Sequence, residues 1–82
     1  MATITPELCR AARGLLNWTG DDLAREAKVA LNTVRKFEAG KTAPMPNNLS
    51  AIQAAFERAG IGFIPENGEG AGVRLRKPAG IG

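Results

Sequence analysis

The chain predicts a mostly α fold, four short helices followed by a C-terminal β-hairpin, and three observations carry that expectation. Apolar residues recur at three- and four-residue spacing from Leu8 to Ala59, the period of one helical face. Cap and breaker residues cut that stretch into short pieces: Thr5-Pro6, Thr19, Gly40, Pro44, Pro46 and Gly60. After Gly60 the texture changes to two β-type runs, Ile61-Gly62-Phe63-Ile64 and Val73-Arg74-Leu75-Arg76, around a glycine-rich turn containing Asn67-Gly68.

The first helix starts at Thr5-Pro6-Glu7, a hydroxyl cap, a proline in the first turn and an acid at the positive end of the dipole. Leu8, Ala12, Leu15 and Leu16 form its apolar stripe, which runs to about Asn17. Thr19 caps a second helix, with Asp22 three residues on as a short variant of a capping box. Leu23, Ala24 and Ala27 are its inner face. The third helix runs from about Leu31 to Ala39, buries Val34 and Phe37, and stops at Gly40. Two prolines keep the segment from Lys41 to Pro46 from being helical throughout. Asn47 then caps a fourth helix, in which Leu49, Ile52, Phe56 and Ala59 face inward. The expected organisation is a helical domain over residues 1–60, a hairpin over 61–77 and a loose tail over 78–82.

Composition sets the outer bounds. Eighty-two residues allow one small domain with a thin core. No apolar run approaches the ~18 residues of a membrane span, and residues 1–30 are polar and helical in pattern, unlike a secretory signal. A single cysteine permits neither an internal disulfide nor a zinc cluster. A cytoplasmic location follows as the expectation, with packing and a partner subunit supplying stability. The net charge of +3 favours an acidic partner only weakly. Its placement says more: residues 28–41 hold Lys28, Arg35, Lys36 and Lys41 against Glu38 alone, and Arg74, Arg76 and Lys77 form a second cluster. A merely solvated face is the bland alternative for both.

The second and third helices carry the functional reading. Ala24 is small where the two must cross closely, Val29 and Val34 plug the angle between them, and Phe37 ties the third helix to the first. Leu31, Asn32, Arg35 and Lys36 are left outside on the third helix. Asparagine can bond adenine bidentately, and arginine or lysine can bond guanine O6 and N7. Lys41, just past the helix, can reach a phosphate. A helix of this kind, braced by its neighbour, is built to enter the major groove of double-stranded DNA.

Residues 8–59 resemble the phage-repressor helix-turn-helix family (Cro/cI, or XRE), with a lambda-repressor-like four-helix domain. The matching residues are Trp18-Thr19, Leu23-Ala24, Ala27 and Val29, then the run from Asn32-Thr33-Val34 through Phe37-Glu38-Ala39-Gly40-Lys41. The resemblance implies that Asn32 and Lys36 read bases, that Leu31 touches an apolar base edge, and that Arg35 contacts a base or phosphate. It implies phosphate contacts at Thr19, Gly20, Thr33 and Lys41, and a structural ion pair between Arg13 and Glu38. Three positions depart from the pattern. Lys28 stands where the family prefers glycine, Ala30 replaces the usual hydroxyl cap, and Gly20 has no side chain where relatives often carry glutamine.

The hairpin raises its own expectation. Ile61, Phe63, Ile64, Val73 and Leu75 are too many apolar groups for an isolated two-stranded ribbon to bury. Two subunits joining these strands into one sheet would bury them and set the distance between recognition helices; folding back onto the chain's own fourth helix is the alternative. Catalysis has little to work with, since the chain lacks histidine and tyrosine and Asp21 and Asp22 adjoin one another. Gly68-x-Gly70-x-Gly72 precedes a strand rather than a helix, which suits a turn and not a phosphate loop. Cys9 is expected as a small core residue, and Trp18 as a cover for the first helix junction.

The expected protein is therefore a homodimeric repressor on a palindromic operator. It needs no cofactor, is not an enzyme, and is controlled by its concentration or by a regulatory protein partner. The rival is a protein-interaction module, an antitoxin or antiactivator that keeps the helix-turn-helix shape, a reading that Gly20, Asp21 and Asp22 favour.

Overall fold

In a computed structural model, which describes residues 4–41, 44–66 and 68–76, the element order is α1 Pro6–Leu16, α2 Gly20–Ala27, α3 Leu31–Glu38, α4 Pro46–Arg58, β1 Ile61–Ile64 and β2 Gly72–Leu75. Thr42 and Ala43 of the proline-containing link, Asn67 of the turn, Lys77 and the expected tail 78–82 lie outside the described residues.

The helices start much as the residue types dictate. The Thr5 hydroxyl accepts from the Leu8 amide at 3.1 Å. Thr19 and Asp22 close a reciprocal capping box: the Asp22 amide donates to the Thr19 hydroxyl at 3.0 Å, and the Thr19 amide to the Asp22 carboxylate at 2.9 Å. Ala30 offers α3 no side-chain cap, an omission that costs about 1 kcal/mol. Asn47 does not cap α4. That helix begins two residues earlier than such a cap implies, at Pro46, with Met45 in the cap position and no side-chain bond. A proline's fixed φ and missing N–H suit the first helical position, and here they outweigh the asparagine's capping preference.

All four helices end by turning the chain through the left-handed region: Asn17 (φ 59°) after α1, Lys28 (φ 59°) after α2, Gly40 (φ 72°) after α3 and Gly60 (φ 104°) after α4. After α3 the turn is a full Schellman motif, with the Gly40 amide donating to the Phe37 carbonyl at 2.9 Å and the Lys41 amide to the Lys36 carbonyl at 3.1 Å. Glycine and asparagine adopt this conformation cheaply; lysine does not. Lys28→Gly is expected to raise the unfolding free energy by about 1 kcal/mol, read as a higher urea midpoint. An unchanged or lower midpoint would mean that the lysine stem contributes packing beyond the strain.

The core collects one face of each helix. Leu23, Ile52, Phe56 and Ile61 are fully buried, joined by Cys9, Ala12, Val34 and Ala55. On α1 the buried stripe is Cys9 and Ala12 with Leu16 half-buried, and Leu15, expected inside, is 44% exposed. At 100° per residue Leu15 points roughly a quarter turn away from that stripe. On α4, Ala55 rather than Ala59 completes the inner face. Trp18 stacks on Phe56, centroids 5.7 Å apart, and Phe63 meets Phe56 edge-on at 6.3 Å.

Within this one chain β1 and β2 pair antiparallel, Ile61 opposite Leu75 and Phe63 opposite Val73. The Arg76 amide extends the ladder to the Gly60 carbonyl at 2.6 Å. The hairpin lies on its own helices, β1 against α4 and β2 along α1. Ile61 is wholly consumed in that packing, Phe63 and Val73 partly so, while Ile64 stays half-buried and Leu75 is 54% exposed.

Candidate nucleic-acid interface

The interface is built by packing α2 against α3. Leu23, Ala24 and Ala27 of α2 and Val34 and Phe37 of α3 face inward, with Val29 half-buried between the helices. Inward residues at 34 and 37 force Asn32, Arg35 and Lys36 outward together, because positions three and four apart share a helix face. All three are exposed, and none of the described carboxylates forms an ion pair with Arg35 or Lys36. This face offers an amide that can both donate and accept and two cationic donors, the groups that distinguish base edges in the major groove. Lys41 is exposed at the end of the same helix, its backbone held by the Schellman bond.

The remaining expected contacts are placed less openly. Leu31 is half-buried, and its Cδ1 lies 3.6 Å from the point where a Cβ on Gly20 would stand. Leu31 packs back towards the start of α2, at a distance that a methyl group on Gly20 would also tolerate, so only part of its side chain faces outward. Thr33 is half-buried too. At Thr19 the amide and one hydroxyl lone pair are engaged by Asp22, leaving the hydroxyl proton and the first free amides of α2, at Gly20 and Asp21, to face an anion.

Behind α3 sits a junction that fixes its end. The Arg13 guanidinium grips Glu38 bidentately, Nε to Oε2 and Nη2 to Oε1, both at 2.7 Å. Its remaining nitrogen donates to the Trp18 carbonyl at 3.0 Å. Cys9 Sγ donates to Glu38 Oε2 at 3.0 Å, and Arg10 Nη1 donates to the Glu38 main-chain carbonyl. The Glu38 side chain is only 12% exposed. Burial alone would raise its pKa, but the hydrogen bonds from Arg13 and Cys9 outweigh burial and hold the carboxyl below its usual range. The same bond raises the Arg13 pKa. Burial, reinforced by Glu38, pushes the Cys9 thiol far up, so it remains a protonated donor and not a nucleophile. The parts played by Cys9 and Arg10 escape a reading of the sequence. Their one trace there is that residues 9, 10 and 13 adjoin on a single helical surface.

A family model described as helix-turn-helix matches residues 10–59, more than half of the chain. The chain belongs to that family, in its Cro/cI-like XRE branch, and is a DNA-binding transcriptional regulator. The match spans most of α1 and all of α2, α3 and α4, and ends before the hairpin. No curated protein matches the chain. Among the described residues no helix is long and apolar enough to cross a membrane.

Proposed function

We propose that the protein is a cytoplasmic repressor that binds a palindromic operator as a homodimer, one α3 in each major-groove half-site. The observation that carries this reading is the single exposed face formed by Asn32, Arg35 and Lys36. In it, Asn32, Arg35 and Lys36 read bases and the outward part of Leu31 touches a thymine methyl. Thr19, Gly20, Thr33 and Lys41 hold flanking phosphates. Half-sites are centred about 10 bp apart, or a multiple of this. Binding needs no cofactor, and control comes through concentration or a protein partner.

Selection of bound duplexes from a random pool, followed by anisotropy titration at two salt concentrations, tests the reading. A palindrome with a steep salt slope supports it, and the absence of any enriched sequence overturns it. Within the selected site two substitutions separate. Asn32→Ala is expected to cost ~1–3 kcal/mol and relax preference at one base position. Lys41→Ala should weaken all sequences alike and flatten the salt slope; selective loss at one position would remove it from the phosphate set.

For the dimer, the free strand edges of the hairpin and the exposed Leu75 form the proposed contact, with the half-buried Ile64 adding to it from the far end of β1, opposite Gly72. Ile61 and Phe63 take part only by shaping the hairpin, since they face the chain's own core, and Val73 pairs with Phe63 on that same face. Leu75→Glu is expected to give a folded monomer with about half the mass in light scattering; a dimer of undiminished stability would place the contact elsewhere. The interaction-module rival keeps little support, because Asp22 is engaged by Thr19 and Arg25 and only Asp21 remains to repel phosphate.

A further inference from the structure

The end of α2, the turn leading to α3 and one side of α4 enclose a cleft of about 480 Å³, lined by Arg25, Glu26, Ala27, Lys28, Ala51 and Arg58. None of these residues belongs to the face that α3 presents to DNA. Cations near a helix C-terminus often serve only to complement its dipole. Here three of the last four carbonyls of α2 are already bonded without it: Ala24 by the Val29 amide at 3.1 Å, Arg25 by the Lys28 amide at 3.3 Å, and Glu26 by Arg58 Nη2 at 3.1 Å. The Lys28 ammonium is not needed for those three.

Lys28 nevertheless occupies a left-handed position that the other three helix ends give to asparagine or glycine. Strain kept without a packing reason points to use. Arg25 is steadied by Asp22 at 2.5 Å, whereas Lys28 and Arg58 have no carboxylate partner among the described residues. Ala27 and Ala51 keep the walls low between these charges.

We propose that this cleft docks an acidic segment of a protein partner, with carboxylates on Lys28 and Arg58 and the peptide backbone over the part-exposed Ala51. Phosphate is the poorer match. A compact phosphate would bring its whole charge close to the Glu26 carboxylate and the carbonyl end of α2, which both repel anions. Carboxylates spaced along a peptide can instead meet Lys28 and Arg58 separately and pass Glu26 by. Because the cleft and the reading face share no residue, a partner held here can ride on a chain already bound to DNA. This inference does not depend on the repressor reading.

The test is an NMR titration of the ¹⁵N-labelled full chain with a short peptide of alternating glutamate and alanine, repeated with inorganic phosphate and with a random short duplex. Expected are peptide-induced shifts at Arg25, Lys28, Ala51 and Arg58, with Asn32, Arg35 and Lys36 unmoved. Lys28→Gly should bind the peptide about threefold more weakly while unfolding at a higher urea concentration, a split that a loss of fold cannot produce. Arg58→Gln, which keeps a donor for the Glu26 carbonyl, should weaken binding similarly. Absent binding, shifts on the α3 face, equal effects of phosphate or duplex at the cleft, or an affinity indifferent to both substitutions would each overturn the proposal.

Discussion

Glu38→Ala is expected to destabilise the domain by about 3 kcal/mol and to weaken specific DNA binding along with it. The carboxylate receives two bonds from Arg13 and one from Cys9, and Arg10 holds the same residue's carbonyl. Its removal leaves the guanidinium of a largely buried pair with only the Trp18 carbonyl, and releases the end of α3 from α1. Glu38→Gln, which keeps an acceptor and loses the charge, should lie between the two. The pH dependence has a definite sign. The folded-state pKa of Glu38 is depressed, so its contribution is fully present above the unfolded value of about 4.3 and is lost as pH falls through the lower folded value. Asp22, also depressed, chiefly by the Thr19 backbone bond and then by Arg25, acts in the same direction. Urea unfolding at neutral pH and near pH ~3 should therefore show a smaller acid loss in Glu38→Ala than in the parent. Equal acid losses would mean that the junction contributes no net charge stabilisation.

Phe56→Ala should cost more, about 4 kcal/mol, because a fully buried ring leaves a cavity as well as losing its transfer energy. Phe56 touches both Trp18 and Phe63, so its loss loosens the joint between α1 and α2 and the seat of the hairpin together. Against a typical total of about 5–15 kcal/mol this is a large share, and thermal unfolding followed by circular dichroism should show it plainly. Phe56→Leu, which fills most of the volume, should cost less than about half as much. Similar losses for the two would indicate that ring stacking, rather than cavity volume, dominates at this position.

Local chemistry made most of the architecture legible in the sequence. Thr5, Thr19, Gly40 and Gly60 announce helix ends because capping and left-handed turns depend on a single residue type. Val34 and Phe37 settle by spacing which way α3 faces. Legibility failed where two local preferences competed or where the decisive contact lay far along the chain. Pro46 and Asn47 both suit a helix start, and only the packed structure ranks them. Leu15 and Cys9 are both apolar, and choosing between them requires knowing where α4 and β2 lie. Four donors converging on Glu38 cross from α1 to α3, and spacing indicates Arg13 without indicating Cys9 or Arg10. Leu31 is readable as outward from its helix position, but its half-burial comes from its approach to Gly20 at the start of α2, a contact between two helices that spacing does not show.

The seating of β2 along α1 has a consequence for how the protein is made. The ribosome releases all four helices before β2, yet α1 has its flank covered, and the Ile61 strand its pairing partner, only when β2 arrives. Domains close as units during synthesis, and this one closes late, through contacts between segments far apart in the chain. The recognition helix is thus translated well before α1, which grips its end through Glu38, has its own flank covered. A nascent chain stalled after α4 should bind DNA weakly and resist proteolysis poorly, and both properties should appear together once residue 76 has cleared the tunnel.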